Sequence, residues 1–146
     1  MTFRIWLLGL VILTPFIAKS SEMPTSERWT FNRYNQPMIV AKNSNTSALI
    51  MSEQTISLVR IDIKCDSFSD NKTNVVNLIV SGQPVKFVAY CSQGYMAFSP
   101  YTENGMGYVL FLLTTKEKFT IDELVFSTNG AIEITKQWQK MASESL

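Results

Sequence analysis

The chain has 146 residues, with 13 basic and 12 acidic side chains and no histidine. This near balance of charge argues against a nucleic-acid partner, because a domain that binds phosphates carries a basic stripe. The missing histidine excludes Ser-His-Asp and Cys-His relays and histidine-based zinc sites, so carboxylates are the remaining candidates for catalysis.

Residues 1–20 are typical of a cleavable secretory signal. One basic residue precedes an apolar stretch over 5–18, and Ala18 and Ser20 are the small residues expected before a cut at Ser21. A helix that spans a membrane needs about 20 mainly apolar residues, which is more than this stretch offers. Cleavage is therefore the preferred interpretation, and retention as an N-terminal anchor is the alternative.

Removal of the signal leaves 126 residues, which suits one domain with an ordinary core. We expect a flexible lead-in over 21–28, where polar residues surround Pro24, and a single β-rich domain over 29–146. The mature protein would then have no stable membrane span, and we expect it to be periplasmic or secreted.

The first part of the domain alternates apolar and polar residues, as half-buried strands do. We predict strands in WTFNRY from Trp29, in MIVAK after Pro37 and in ALIM over 48–51, with a hairpin across the turn residues 42–47. A further strand is predicted over 55–64. Its apolar face switches midway, which indicates a β-bulge or a strand between two packed layers, with a helix as the alternative.

Two strands are predicted around the turn SGQP at 81–84, one in VVNLIV and one in VKFVAY, which ends at Cys91. The stretch YVLFLLTT over 108–115 is nearly all apolar, so we expect a central strand covered on both faces. FTI and LVF, on either side of Asp122, are expected to form two more strands.

After Gly130 the apolar period changes. Ala131, Ile134, Trp138 and Met141 recur every three or four residues, as on one face of a helix, and predict a short terminal helix with Trp138 against the sheet. Together the elements predict a mainly β fold, namely a small antiparallel β-sandwich or barrel-like domain with a short C-terminal helix.

Cys65 and Cys91 are the only cysteines. An even number of cysteines after an export signal indicates one structural disulfide, which in the loop-entropy model contributes roughly 3.5 kcal/mol of stability. The alternatives are two free thiols and a redox or metal-binding pair. The 25 residues between the two cysteines argue against redox chemistry, because reactive pairs usually lie close together, as in Cys-x-x-Cys.

Several carboxylates lie at predicted strand ends or in loops: Asp62, Asp66, Asp70, Glu103, Asp122 and Glu123. A glycoside hydrolase needs two of them about 5–10 Å apart, and no sequence pattern pairs them. Charges that keep strand edges solvated are the ordinary interpretation. The spacing of Asp66, Asp70 and Asn71 does not match a calcium-binding EF-hand loop. We therefore expect no catalytic residue, no metal and no cofactor.

The segment over 95–108 mixes turn-forming residues with aromatic residues and methionines. These residue types are enriched in the cores of protein interfaces, so a loop that carries them is a candidate recognition surface. Its candidate partner-binding residues are Tyr95, Met96, Phe98 and Tyr101. The alternative is that these side chains point into the core of the domain, where aromatic residues dominate burial.

The order of three segments resembles the layout of the invasion-associated locus B family of exported bacterial β-domains. The segments are NLIVSGQPVKFVAYCSQGYMAF, YVLFLLTT and LVFSTNGAIEITKQW. The WTF strand at Trp29 fits the same layout. The resemblance covers about the last half of the chain. That family usually has further cysteines near the tryptophan strand and just after the position of Cys91, where this chain has Tyr95. The resemblance implies a non-enzymatic periplasmic or secreted protein associated with virulence.

These features favour an exported, non-catalytic protein that binds another protein or an envelope component, in the bacterial envelope or outside the cell. Inhibitors, immunity proteins, assembly factors and virulence-associated factors all fit this description. One alternative is a small carboxylate-dependent hydrolase of envelope polysaccharide. Another is a purely structural component of the envelope.

Overall fold

The computed structural model describes residues 24–65 and 74–145, which form nine strands and two helices. The predicted signal over 1–20, the start of the lead-in and the loop 66–73 lie outside the described residues. In chain order the elements are β1 Thr30–Phe31, β2 Pro37–Val40, β3 Ser47–Met51, β4 Ile56–Ile61, β5 Asn74–Val80, β6 Gln83–Ser92, β7 Tyr95–Pro100, α1 Glu103–Thr115, β8 Lys118–Ile121, β9 Leu124–Ser127 and α2 Ala131–Glu144.

All nine strands belong to one antiparallel sheet, in the order β1-β2-β3-β4-β7-β6-β5-β8-β9. The sheet curls into a half-barrel, so the predicted mainly β fold is confirmed in its barrel-like form. Hydrogen bonds join its two ends. The N–H of Lys42 donates to the carbonyl of Val125 at 2.8 Å. The side chain of Asn43 donates to the carbonyl of Glu123 and accepts from the N–H of Val125.

Two tight turns set the register of the central hairpins. Ser81 and Gly82 between β5 and β6 have φ angles of 44° and 85°, and Gln93 and Gly94 between β6 and β7 have φ angles of 44° and 87°. Positive φ at both central residues is the geometry of a type I′ hairpin turn, which matches the twist of the strands that it joins. The predicted strand pair around the turn at 81–84 is confirmed, with Gln83 and Pro84 already part of β6.

The prediction of a central strand over Tyr108–Thr115 is wrong, because these residues form most of α1. The hydroxyl of Thr102 caps this helix by accepting from the N–H of Gly105 at 3.0 Å. The buried residues of the helix follow the helical period and not the alternation of a strand. They are Gly105, Val109, Leu112 and Leu113.

The strand predicted over 55–64 is present as β4, without the β-bulge that was one explanation of its apolar pattern. The pairing of β4 with β3 runs without interruption from Ile56 to Arg60, and the strand ends at Ile61. The apolar positions change parity in the sequence because Leu58 faces the buried core, whereas Ile61 is 63% exposed and Ile63 lies beyond the strand. A second departure is that β1 has only two residues, since the chain turns from Asn32 onwards.

The core lies between the inner face of the sheet and the two helices. Leu49 and Leu58 face each other across β3 and β4, and Val109 and Leu112 of α1 and Ile134 of α2 belong to the same buried cluster. The predicted terminal helix is confirmed as α2, with Trp138 packed against the core. Neither helix within the two described ranges is long and apolar enough to cross a membrane.

The predicted disulfide between Cys65 and Cys91 is present, with the two Cα atoms 5.2 Å apart. Cys65 lies in the turn that follows β4, and Cys91 lies near the end of β6. The N–H of Gly94 also donates to the carbonyl of Cys65 at 2.7 Å. The bridge therefore fastens this turn to the adjacent hairpin.

The last residues of the predicted lead-in bond to the domain. The carbonyl of Thr25 accepts from the N–H of Val40 at 3.0 Å, and the carbonyl of Glu27 accepts from the hydroxyl of Ser127 at 3.1 Å. Glu27 also forms an ion pair with Lys42, with 3.3 Å between Oε2 and Nζ. The hydrogen bonding of the sheet thus reaches back to Thr25.

Candidate functional site

Three of the four candidate partner-binding residues lie on a strand and not on a loop. Tyr95, Met96 and Phe98 belong to β7, where successive side chains point to opposite faces of the sheet. Phe98 pairs across the sheet with buried Leu58 and packs against the core, and Met96 shares its face. Tyr95 is on the outer face. The structure therefore divides these residues between two faces of the sheet.

Tyr101 follows β7 and is 59% exposed. Its N–H donates to the carbonyl of Lys86 at 2.9 Å, which fixes the backbone just before α1 begins. Of the four candidates, Tyr101 is the one that stands well out into solvent. The next exposed apolar side chains along the chain are those of α1.

One side of α1 is apolar although it faces solvent. Gly107, Leu110, Phe111 and Thr114 share this side, since they follow one another at helical steps, and we call them the α1 outer face. Leu110 is 45% exposed and Phe111 is 52% exposed, and a Cβ added at Gly107 would meet no atom within 4 Å. The sequence does not indicate this surface, because its apolar run predicts a buried strand.

The polarity of α1 is unusual for a surface helix, which normally carries charged or polar residues on its solvent side. Glu103, in the first turn, is the only charged residue in the 13 residues of α1. The hydroxyls of Thr114 and Thr115 donate to the carbonyl of Phe111, at 3.1 and 2.7 Å, and so are bonded within the helix. The α1 outer face thus offers a partner little but apolar surface.

The candidate carboxylates have separate structural roles where the structure describes them. Asp62 accepts from the N–H of Lys64 at 3.0 Å, and Asp122 accepts from the N–H of Ile79 at 2.8 Å. Glu123 lies 3.8 Å from the guanidinium of Arg60, and Glu103 is in the first turn of α1. Asp66 and Asp70 lie outside the described residues. Within 24–65 and 74–145, no group of three or more acidic or cysteine side chains could hold a metal ion.

A groove of about 770 Å³ opens at the end of the sheet where β1 turns into β2 and β3 turns into β4. Residues 34–36 and 52–55 of these two turns form its walls, and the C-terminal half of α2 contributes Trp138, Met141 and nearby residues. We call this the turn groove. Its volume is within the range of about 300–1,000 Å³ that is usual for small-molecule sites.

Asn32 holds the first wall of the turn groove in shape. Its Oδ1 accepts from the N–H of Tyr34 at 2.9 Å and from the N–H of Gln36 at 3.0 Å, while its Nδ2 donates to Gln36 Oε1 at 3.1 Å. Asn35 adopts a left-handed φ of 57°, which asparagine tolerates better than most residues. The guanidinium carbon of Arg33 lies 4.7 Å from the centre of the Tyr34 ring. The turn is therefore preformed.

The second wall is the turn between β3 and β4. The N–H of Ser52 donates to the carbonyl of Thr55 at 2.8 Å, and the hydroxyl of Ser52 donates to the same carbonyl at 3.3 Å. These bonds leave Glu53 and Gln54 exposed at the tip of the turn. The helical period predicts Trp138 against the sheet, but no sequence pattern indicates that Trp138 also lines a groove.

No family model, curated protein or solved structure matches this chain. The resemblance to the invasion-associated locus B family therefore stays a prediction. The function is therefore inferred from the chemistry of two surfaces, the α1 outer face and the turn groove.

Proposed function

We propose that this protein is an exported, non-catalytic binding protein whose α1 outer face docks onto another protein. The observation that carries the proposal is a solvent-facing helix side with Leu110 and Phe111 half-exposed and no charge beyond Glu103 at one end of the helix. Exposed apolar patches on small domains are typical of interaction sites, and aromatic residues are frequent anchors of interfaces.

Burial of Leu110 and Phe111 would favour such a complex. Each side chain has about half of its surface left to bury, which corresponds to roughly 1 kcal/mol each on a transfer scale. Gly107 has no side chain, so the backbone of a partner could approach the helix closely at that point. The partner surface that fits best is apolar and uncharged at its centre.

A protein partner is favoured over a lipid surface. Helices that lie in a membrane interface combine their apolar face with a polar face rich in Lys and Arg. Helix α1 contains no basic residue, and its other side carries Val109, Leu112 and Leu113 into the core. It therefore lacks the second face that binding to anionic lipid requires.

Two features support a location outside the cytoplasm. Residues 1–20 have the pattern of a secretory signal. The disulfide between Cys65 and Cys91 suits an oxidising compartment. A periplasmic or secreted inhibitor, immunity protein, assembly factor or virulence-associated factor is consistent with both.

A cross-linking experiment in the native host tests the proposal. A photo-reactive phenylalanine analogue at Phe111 should form an adduct with one defined protein. The same analogue at Ile132 of α2 is the matched control, since Ile132 is an apolar helix residue with a similar exposure of 42%. Adducts of equal yield at both positions, or no protein adduct at Phe111, would contradict the proposal.

The identified partner then allows a quantitative test. Replacement of both Leu110 and Phe111 by serine should weaken binding of the purified partner by about 30-fold, because roughly 2 kcal/mol of burial would be lost. Ile132→Ser should leave the affinity unchanged. If the double variant binds as tightly as the parent protein, the α1 outer face is not the docking surface.

A further inference from the structure

We infer that the turn groove is a second binding site and that its ligand is an uncharged oligosaccharide. The groove shares no residue with the α1 outer face, so this inference stands independently of the proposed protein partner. It depends on three properties of the groove: its aromatic platforms, its free side-chain amides, and its charge.

Tyr34 and Trp138 supply the aromatic platforms. Tyr34 is 67% exposed, although a tyrosine in a short turn could have folded back onto the sheet. Asn32 fixes the backbone on both sides of it, and Arg33 stacks on its ring. The faces of a sugar ring carry C–H groups that pack flat against aromatic rings of this kind.

Trp138 is placed differently. Trp138 is partly buried, since it packs against the core and also lines the groove. Its Nε1 donates to no group of the described residues, in contrast to Nε1 of Trp29, which is bonded to Ser127. A donor at the edge of an aromatic ring suits a ligand with hydroxyl groups around an apolar ring.

The polar groups of the groove have unused hydrogen-bonding capacity. Within 24–65 and 74–145, the side-chain amides of Asn35 and Gln54 form no hydrogen bond, and neither does the carboxylate of Glu53. The Oε1 of Gln36 is taken by Asn32, which leaves its Nε2 as a donor. An amide both donates and accepts, so it can bond two neighbouring hydroxyl groups of a sugar.

The charge of the groove excludes strongly charged ligands. Among residues 24–65 and 74–145, Glu53 is the only charged residue in the lining, and Arg33, the cation next to Tyr34, stacks on the Tyr34 ring. Phosphates, nucleotides and acidic glycans need basic side chains for tight binding. One carboxylate among neutral groups is compatible with a neutral sugar, because it accepts from hydroxyl groups.

A peptide fits the groove less well than a glycan. Its walls are turns and its remaining lining is a helix, so no unpaired strand edge is available to bond the backbone of an extended peptide. An amphipathic helix needs a continuous apolar groove, whereas the apolar lining here is limited to Tyr34, Trp138, Met141 and Ala142.

The test uses tryptophan fluorescence and calorimetry on the full chain as its host exports it. The probes are neutral oligomers of N-acetylglucosamine, of glucose and of galactose, with heparin as an acidic glycan and a mixed-sequence peptide library as comparisons. We expect saturable binding of at least one neutral oligomer. Of the three tryptophans, Trp6 lies in the predicted signal and Trp29 is buried, so the spectral change should come from Trp138 and should vanish in Trp138→Phe.

Two tyrosines form the matched pair of variants. Tyr34→Ala should weaken binding of the neutral oligomer by about tenfold or more, as loss of an aromatic anchor does. Tyr101→Ala removes a tyrosine of similar exposure, 59%, outside the groove and should leave binding unchanged. Both side chains are exposed, so neither change should unfold the domain.

Three results would overturn the inference. The first is that no neutral oligomer binds the folded protein. The second is a preference for heparin or for peptides over every neutral glycan. The third is an equal loss of binding in Tyr34→Ala and Tyr101→Ala, which would place the ligand elsewhere. Cross-linking at Phe111 is unaffected by these outcomes, so failure of this inference can be told apart from failure of the proposed function.

Discussion

The indole Nε1 of Trp29 donates a hydrogen bond of 2.9 Å to the carbonyl of Ser127, which is 98 residues further along the chain. Trp29 precedes the first strand, and Ser127 ends the last one. The N–H of Trp29 also donates to the carbonyl of Asn129 at 2.9 Å. Together these bonds hold the two ends of the curled sheet against each other around a buried aromatic ring.

Trp29→Phe should therefore destabilise the domain by about 2–3 kcal/mol. The change removes buried volume and leaves the carbonyl of Ser127 without its side-chain donor. Urea denaturation followed by circular dichroism measures the loss. Trp138→Phe is the control, since that indole is only partly buried and has no such bond among the described residues. Equal losses in the two variants would contradict this role of Trp29.

Loss of the disulfide should lower the free energy of unfolding by about 2–4 kcal/mol, because the bridge restricts the unfolded chain. Cys65→Ala, Cys91→Ala and the double variant should all lose a similar amount, since each one removes the same bond. Denaturation of the three variants without reductant measures this. If the double variant lost as much free energy of unfolding as the two single variants together, the two cysteines would stabilise the domain separately and not through one bond.

The elements of the fold could largely be predicted from the sequence, and α1 shows why one of them could not. An apolar run of eight residues fits a strand covered on both faces as well as a helix. The structure distinguishes them because Leu112 and Leu113 are both buried, whereas Leu110 and Phe111 are both exposed. Which two of these residues are buried is decided by how the helix packs on the sheet. The sequence does not indicate it, because all four residues are equally apolar.

The turn groove could not be predicted for a different reason. Local patterns indicate only one of its parts, since a helical period includes Trp138, whereas the segment up to Tyr34 is predicted to be a strand. Its formation depends on the order of strands in the sheet and on where α2 lies, which bring residues 34–36 and 52–55 next to Trp138 and Met141 of α2, more than 80 residues later in the chain. The disulfide was predictable because the chain contains only two cysteines.

Asn32→Ala should disturb the turn groove without removing any residue that lines it. The variant loses two acceptor bonds and one donor bond within the turn, which should cost about 1–2 kcal/mol of stability. It should also weaken binding of a neutral oligosaccharide, because Tyr34 and Asn35 are no longer held in place. Asn32→Asp keeps the acceptor oxygens and should retain more affinity than alanine, as titration calorimetry can show.

Thr102→Ala should destabilise α1 by about 1 kcal/mol, because it removes the side chain that caps the first turn. Thr102→Ser keeps a hydroxyl for the N–H of Gly105 and should stay within about 0.5 kcal/mol of the parent protein. Thermal denaturation of both variants measures the difference. If serine and alanine were equally destabilising, the hydroxyl would not be the stabilising group.

Two glycines of α1 should respond to alanine in opposite directions. A Cβ at Gly105 would lie 2.9 Å from Cγ1 of Val85, so Gly105→Ala should destabilise the domain by about 1–3 kcal/mol through overpacking. A Cβ at Gly107 meets nothing within 4 Å, so Gly107→Ala should stabilise the helix by about 0.5–1 kcal/mol. Urea denaturation of both variants checks this. Effects of the same sign would mean that α1 does not pack on β6 through Gly105 as described.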